Sequence, residues 1–410
     1  MSGYWVRNAG FALLATVVAV PSGFAEGPTY AKEVSRLMQE NCQQCHRPTS
    51  VAPFSLMNYR ETKARAKMIK EVVTSKRMPP WFADPAHGKF SNDRRLTDDQ
   101  INTLVAWIDG GAPLGDEKDM PEPKQFVDGW QIGQPDVIFE LPIEIDVQAT
   151  GVVDYQNYQV ETNFDQDMYV QAAEALPGNT KVVHHIIVTA IDPANPRDRA
   201  NREHVAGMAP GAEPVWFEPG TAGIIPKGSV LNFQMHYTPT GKAEKDRSKI
   251  GIVFAKEKPK YISKTQGAFN TKFAIPAGND NHEVLSSWTF DENARLLTLM
   301  PHMHYRGKDF KYTAVFPDGR EQVLLAVPRY DFNWQLTYRL DEPLLLPAGS
   351  RIDCVAHFDN SDKNAANPDP KSEVKWGDQT WEEMMIGWFR YTALPDGETD
   401  LLKHDAQDSD

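Results

Sequence analysis

The chain has 410 residues, 41% hydrophobic and 10% aromatic, a globular composition long enough for several domains. Asp and Glu outnumber Lys and Arg by 56 to 43, a net charge of −13, so nucleic acid and anionic lipid are poor partners. Basic docking partners remain open, and three cysteines leave little room for stabilisation by disulfides.

In chain order, Arg7 is followed by the apolar run Ala9–Val20 and by small residues up to Ala25. This is the pattern of a secretory signal over residues 1–25, cleaved after Ala25. The run is shorter than the roughly 20 apolar residues that span a bilayer. No later stretch is long and apolar enough, so the expectation is a periplasmic or secreted protein with no membrane span.

Residues 26–117 read as helical. Tyr30–Asn41 and Tyr59–Thr74 carry apolar side chains at helical spacing, and Thr97 with Gln100 forms a capping box that opens a helix ending at Gly110-Gly111. Within this region lies Cys42-Gln43-Gln44-Cys45-His46. C-x-x-C-H is the attachment pattern of a covalently bound haem c: two thiols add to the vinyl groups and the histidine ligates iron. The size and helix content are those of a small all-α cytochrome c domain. Met78, in Arg77-Met78-Pro79-Pro80-Trp81, is the expected sixth ligand. His87 is the runner-up, and Met57 and Met68 read as packing residues. Residues 118–129 are charged and proline-bearing, a linker.

From Trp130 the pattern becomes short β-rich runs between Pro, Gly, Asn and Asp turns. That spacing predicts antiparallel sandwiches. There are too many residues for one, so two are expected, over 130–262 and 263–395, followed by an acidic tail over 396–410. The fold expected is therefore multidomain: an N-terminal all-α cytochrome c domain, then two antiparallel jelly-roll-like β-sandwiches.

Three histidine clusters fall in the β region: His184-His185, His236, and His302-x-His304. Residues two apart in a strand share a face, so His302 and His304 can bind one ion directly. Adjacent His184 and His185 point to opposite faces of a regular strand, and joining them at one metal requires a bulge, a twist or a strand end. Imidazole-rich open sites suit copper, zinc and iron, and an added thioether favours copper.

In these residues the β region resembles the copper type II monooxygenases, the peptidylglycine alpha-hydroxylating and dopamine beta-monooxygenases. It resembles more closely bacterial proteins that join a cytochrome c to such a module. The resemblance implies two copper ions. His184, His185 and His236 match the ligands of one. His302 and His304 match the pair of the other, and Trp381-Glu382-Glu383-Met384 matches the acidic-Met motif that supplies its thioether, with Met385 as the fallback. It implies that His302, His304 and Met384 bear the oxygen chemistry and that the His-only site passes electrons across an open, watered cleft. The activity implied is hydroxylation of a C–H bond of a small organic substrate with O2, with electrons from an ascorbate-like reductant or redox protein entering through the haem. The alternative is a non-oxygenating electron-transfer or redox-sensing haem and copper protein. The peptide-hydroxylating relatives anchor a carboxylate with an Arg and a Tyr where this chain has Met300 and Trp388, which points to an apolar or aromatic substrate.

Four other features carry less. Cys354 with His357 reads as a buried structural thiol beside a histidine. His204 and Met208 read as part of a Gly/Pro loop, and His282 and His404 as solvated turn residues. Arg306-Gly307-Lys308 reads as a basic turn able to orient a metal ligand.

Overall fold

The computed structural model describes residues 1, 3, 27–48, 50, 52–127, 129–192, 194 and 202–395. The expected signal core and cleavage point, the acidic tail and His404 lie outside the described residues.

The molecule is dominated by β-sheet: the described residues form 21 strands and only four α-helices, with one π and one 3-10 turn. The expected N-terminal all-α cytochrome c domain is not present. The helices that do form, Ser35–Asn41, Tyr59–Ala64, Ala66–Thr74 and Asp98–Asp109, are short and gather around Tyr30, Met38, Leu104 and Trp107. Their local signals act as the sequence predicts. Thr97 and Gln100 exchange both capping-box hydrogen bonds, and Thr29 caps the turn at Tyr30–Val34. The stretch expected as one helix over 59–74 is broken at Arg65.

What prevents a separate helical domain is the segment between the third and fourth helices. Residues 76–96 have no helical period and carry Pro79, Pro80 and Pro85. Their backbone groups find partners in the β region instead. Asp84 N–H donates to Ala326 C=O at 2.8 Å and Ser91 N–H to Arg339 C=O at 3.0 Å, while Phe90 bridges to Leu340. Trp81, Ala83 and Phe90 are buried in the same core as Tyr338, Leu325 and Phe358. The N-terminal region is thus a set of short helices whose connecting strap belongs to the β core.

The β region has two lobes with separate cores, one including Phe233, Ile186 and Ile250, the other including Phe310, Phe389 and Tyr312. They are not two independent sandwiches. A nine-stranded sheet runs through both, joined where Thr221–Ile225 pairs in parallel with Tyr261–Phe269. The boundary expected at 262 falls inside that strand. In the first lobe this sheet is accompanied by a four-stranded sheet in the order Gln156–Glu161, Val230–Tyr237, Val183–Ile191, Glu203–Met208. In the second lobe its companion has the order His282–Thr289, Arg351–Phe358, Gly307–Val315, Glu321–Val327.

Alternation along Ile386–Leu394 decides what the shared sheet presents. Phe389 and Tyr391 enter the second core, so Ile386, Trp388 and Arg390 occupy the opposite face.

Candidate metal centre

His184 and His185 sit at the start of strand Val183–Ile191, and His236 lies across from them on Val230–Tyr237. The ladder pairs Val183 with Tyr237 and His185 with His236, so two residues of one strand advance against one of the other. His184 is the extra residue of a β-bulge, which turns its side chain to the same site as its neighbour. This resolves the difficulty posed by adjacent histidines. One ligand atom from each of His184, His185 and His236 lies within 4.8 Å of the others. The ring centroids are 4.8 Å apart for His185 and His236 and 4.9 Å for His184 and His236.

The chemistry of this trio is that of a ligand set. Nδ1 of His184, both ring nitrogens of His185 and Nδ1 of His236 are buried without a hydrogen-bond partner. Each such orphan costs about 1–3 kcal/mol unless something satisfies it. Burial lowers the pKa of all three imidazoles, with His236 brought to about 3, so at neutral pH they are uncharged and able to donate a lone pair. Tyr155 lies over the trio, its ring 4.7 Å from that of His236 and 5.2 Å from that of His185. Its hydroxyl is also buried and unpartnered, and burial raises its pKa.

The second set is built on the other lobe. His302 ends strand Asn293–His302, and His304 follows in the turn. Both rings are oriented from behind. His302 Nδ1 is 2.7 Å from the Gln335 side-chain oxygen, and His304 Nδ1 is 3.2 Å from the Glu382 carbonyl. An acceptor at Nδ1 fixes the proton there and leaves Nε2 as the lone-pair nitrogen. His304 Nε2 is buried with no partner, and burial lowers the His304 pKa to about 3. Glu383 binds the turn from beneath: its carboxylate accepts from His304 N–H at 2.8 Å and from Arg306 N–H at 2.6 Å. Arg306 is itself buried and donates to Asn360 Oδ1, Trp381 C=O and Asp369 C=O. The basic turn of the sequence is therefore an interior brace.

Met384 stands where this ladder leads. His302 pairs with Ile386 as the last step of the antiparallel ladder, and Met384 lies two residues before Ile386, just outside the strand. Met384 is half-buried, whereas Met385 is fully buried in the second core and is excluded as the fallback ligand. Two steps back along the ladder, Met300 and Trp388 are direct cross-strand partners. Met300 and Trp388 thus form one apolar pair on the face of His302.

The two sets are close. Phe332 stacks on His184 at 5.9 Å and meets His304 edge-on at 5.9 Å, so twice that distance is the most those two rings can be apart. Phe332 is buried and touches both sets. Phe332 belongs to the connection between Glu321–Val327 and Tyr338–Leu346, which also supplies Gln335 to His302 and the Tyr330 hydroxyl to both backbone groups of Met303. Sequence reasoning missed this loop, Tyr155 and Glu383. Their only signal was an aromatic-rich turn and an acidic pair, neither of which names its partner.

The C-x-x-C-H segment is a tight turn after helix Ser35–Asn41. His46 N–H donates to Cys42 C=O at 2.9 Å, and Gln43 is buried with its side chain donating to Leu56 C=O. Both thiols are free, and burial raises the Cys42 pKa to about 12. His46 Nδ1 is 3.1 Å from the Phe54 carbonyl, which fixes the proton on that nitrogen and leaves Nε2 as the lone-pair nitrogen. These features fit covalent haem. Met78 is half-buried at the point where the chain leaves the helices for the strap, and His87 is half-buried in a turn within that strap. Met68 is exposed on helix Ala66–Thr74 and does not pack in a core.

Among the discounted residues, Cys354 is buried as expected, and His357 hydrogen-bonds Asp309 at 2.7 Å. His204 and Met208 lie on strand Glu203–Met208, and His282 begins a strand, so none of the three occupies the loop or turn expected for it.

No family model matches the chain, and no curated protein matches it. Among solved structures it shows a faint likeness to the major capsid protein P2 from bacteriophage PM2. The TM-score is 0.28 at 11% identity, covering 64% of this chain and 99% of that one. The structure of infectious bursal disease virus Gx strain gives 0.19 at 9%, covering 60% and 58%. An oxalate decarboxylase gives 0.13 at 8%, covering 67% and 80%. Scores this low carry no inference.

Proposed function

We propose that this chain is an exported copper-dependent monooxygenase that hydroxylates a C–H bond of a small apolar or aromatic substrate. The balance is one O2, two electrons and two protons consumed, one hydroxylated product and one water formed. The electrons come from an external donor, an ascorbate-like reductant or redox protein, by way of a haem held by Cys42, Cys45 and His46. The observation that carries the reading is the pair of desolvated, uncharged imidazole sets on facing lobes, with ring nitrogens that are buried and unpartnered.

His184, His185 and His236 would hold one copper, and His302, His304 and Met384 the other. Copper supplies one-electron exchange and the capacity to reduce dioxygen. The chain supplies the rest. Gln335 and the Glu382 carbonyl hold two imidazoles with Nε2 forward. Glu383 and Arg306 keep the His304 turn rigid. Phe332 touches both sets, and Met300 with Trp388 offers an apolar bed for the substrate.

The test is copper stoichiometry together with substrate-dependent O2 uptake across a small-molecule library, read as products heavier by one oxygen atom. Two coppers per chain and uptake abolished by Met384→Ile, with the haem spectrum unchanged, are expected. Uptake that survives Met384→Ile removes the second set from its role. Electron flow without O2 uptake favours the non-oxygenating redox protein.

A further inference from the structure

Away from the histidines, the helical region and both β lobes enclose a cleft of about 430 Å3. Three guanidinium groups line it: Arg94 from the strap, and Arg339 and Arg390 from the second lobe. Arg94 and Arg339 share a single carboxylate, Glu213, at 3.0 and 2.8 Å. Of the other acids at the wall, Glu218 is taken up by Arg295 at 2.7 Å, which leaves Asp341. Three arginines and three acids thus line the cleft, and with Glu218 held by Arg295 from outside the lining, two acids are left to face three guanidiniums.

Arg390 is the unusual member. Among the described residues it has no ion-pair partner and donates no hydrogen bond to the protein. Its guanidinium lies over the face of Phe217, 5.0 Å from the ring centroid. Burial and the nearby Arg339 lower its pKa to about 10, which still leaves it charged at neutral pH. Arg390 is half-buried, so its five-donor fork meets solvent in the cleft, where a ligand can supply the acceptors. The planar fork matches a carboxylate in a bidentate geometry.

We propose that this cleft is a carboxylate-binding site seated on Arg390 and flanked by Arg94 and Arg339. Two sources of carboxylate are within reach. One would be a propionate of a haem held by Cys42 and Cys45, since the Arg94 charge acts at Cys45. Arg390 also shares a sheet face with Trp388 and Ile386, so a free organic acid can enter along the same face. The first source rests on the haem reading. The second does not, and neither depends on copper.

The experiment uses the full chain carrying haem, the Cys42→Ala/Cys45→Ala chain without haem, and Arg390→Gln in each background. Succinate binding is measured by calorimetry at low salt, and the haem midpoint potential by titration. If propionate fills the cleft, only the haem-free chain binds succinate, and Arg390→Gln shifts the potential of the haem-bearing chain. If a free acid is the ligand, the haem-bearing chain binds succinate, Arg390→Gln weakens it by about tenfold or more, and the potential is unchanged. Arg390→Lys should restore part of the binding through charge alone, which separates loss of the site from loss of the fold. Absence of succinate binding in both backgrounds, with a potential indifferent to Arg390→Gln, overturns the proposal.

Discussion

Replacing His185 by leucine distinguishes a metal ligand from a structural histidine by the sign of the stability change. His185 is 4% exposed, and neither of its ring nitrogens has a partner. In metal-free protein the substitution removes two orphaned polar atoms, each costing about 1–3 kcal/mol, while imperfect shape matching takes back about 1 kcal/mol. The metal-free variant should therefore be more stable than the parent by about 2 kcal/mol. Copper at a hundredfold excess over its Kd should add about 2.7 kcal/mol to the parent through this site and nothing to the variant. The order of stability thus inverts when copper is added. Urea unfolding followed by far-ultraviolet circular dichroism, with chelator and then with copper, reads both halves. A metal-free variant less stable than the parent by about 2 kcal/mol, with the copper response intact, would refute the argument.

Acid should destabilise the metal-free protein through the same groups. His236 and His304 have pKa values of about 3 in the native state, against 6.5 for the unfolded chain. Below pH 6.5 the unfolded chain takes up protons that the native imidazoles refuse. Stability should be complete above that pH and fall toward pH 3 by about 1.4 kcal/mol per unit for each group, measured as urea midpoints across pH. Gln335→Leu removes the acceptor that orients His302 and should weaken copper at the second set by about 10–100-fold, with the first trio unchanged, in a titration against a Cu(I) chelator. Phe332→Ala removes the ring that touches His184 and His304 and should cost about 3–5 kcal/mol by chemical denaturation. Arg306→Met removes the guanidinium that donates to Asn360 Oδ1, Trp381 C=O and Asp369 C=O, and leaving these acceptors unpaired should cost about 1–3 kcal/mol by chemical denaturation.

Local chemistry is legible without a fold. The capping box at Thr97, the turn at Cys42–His46 and the ligand-type side chains of the β region follow from neighbouring residues, because caps, turns and strand faces are set within a few positions. The sequence likewise paired His302 with His304, and their rings lie 5.2 Å apart although the strand ends at His302. It left open whether His184 and His185 could meet at one site. That depended on a bulge whose existence lies in the pairing with Val230–Tyr237, a partner far away in the chain.

The same physics explains the corrected architecture. Helical periodicity over 30–41 and 59–74 reports which segments coil, and says nothing of where the stretch between them and the next helix will place its amides. Residues 76–96 lack a helical period, and Asp84 and Ser91 pair their backbone with the second lobe while Trp81 and Phe90 enter its core, so the strap joined that core and no separate helical domain formed. Likewise, the parallel pairing of Thr221–Ile225 with Tyr261–Phe269 fused two lobes that turn-punctuated strands alone describe as separate. Side-chain identity set the available chemistry. Long-range hydrogen-bond pairing decided which of those side chains would share a site, because a backbone donor names no partner until the chain has folded.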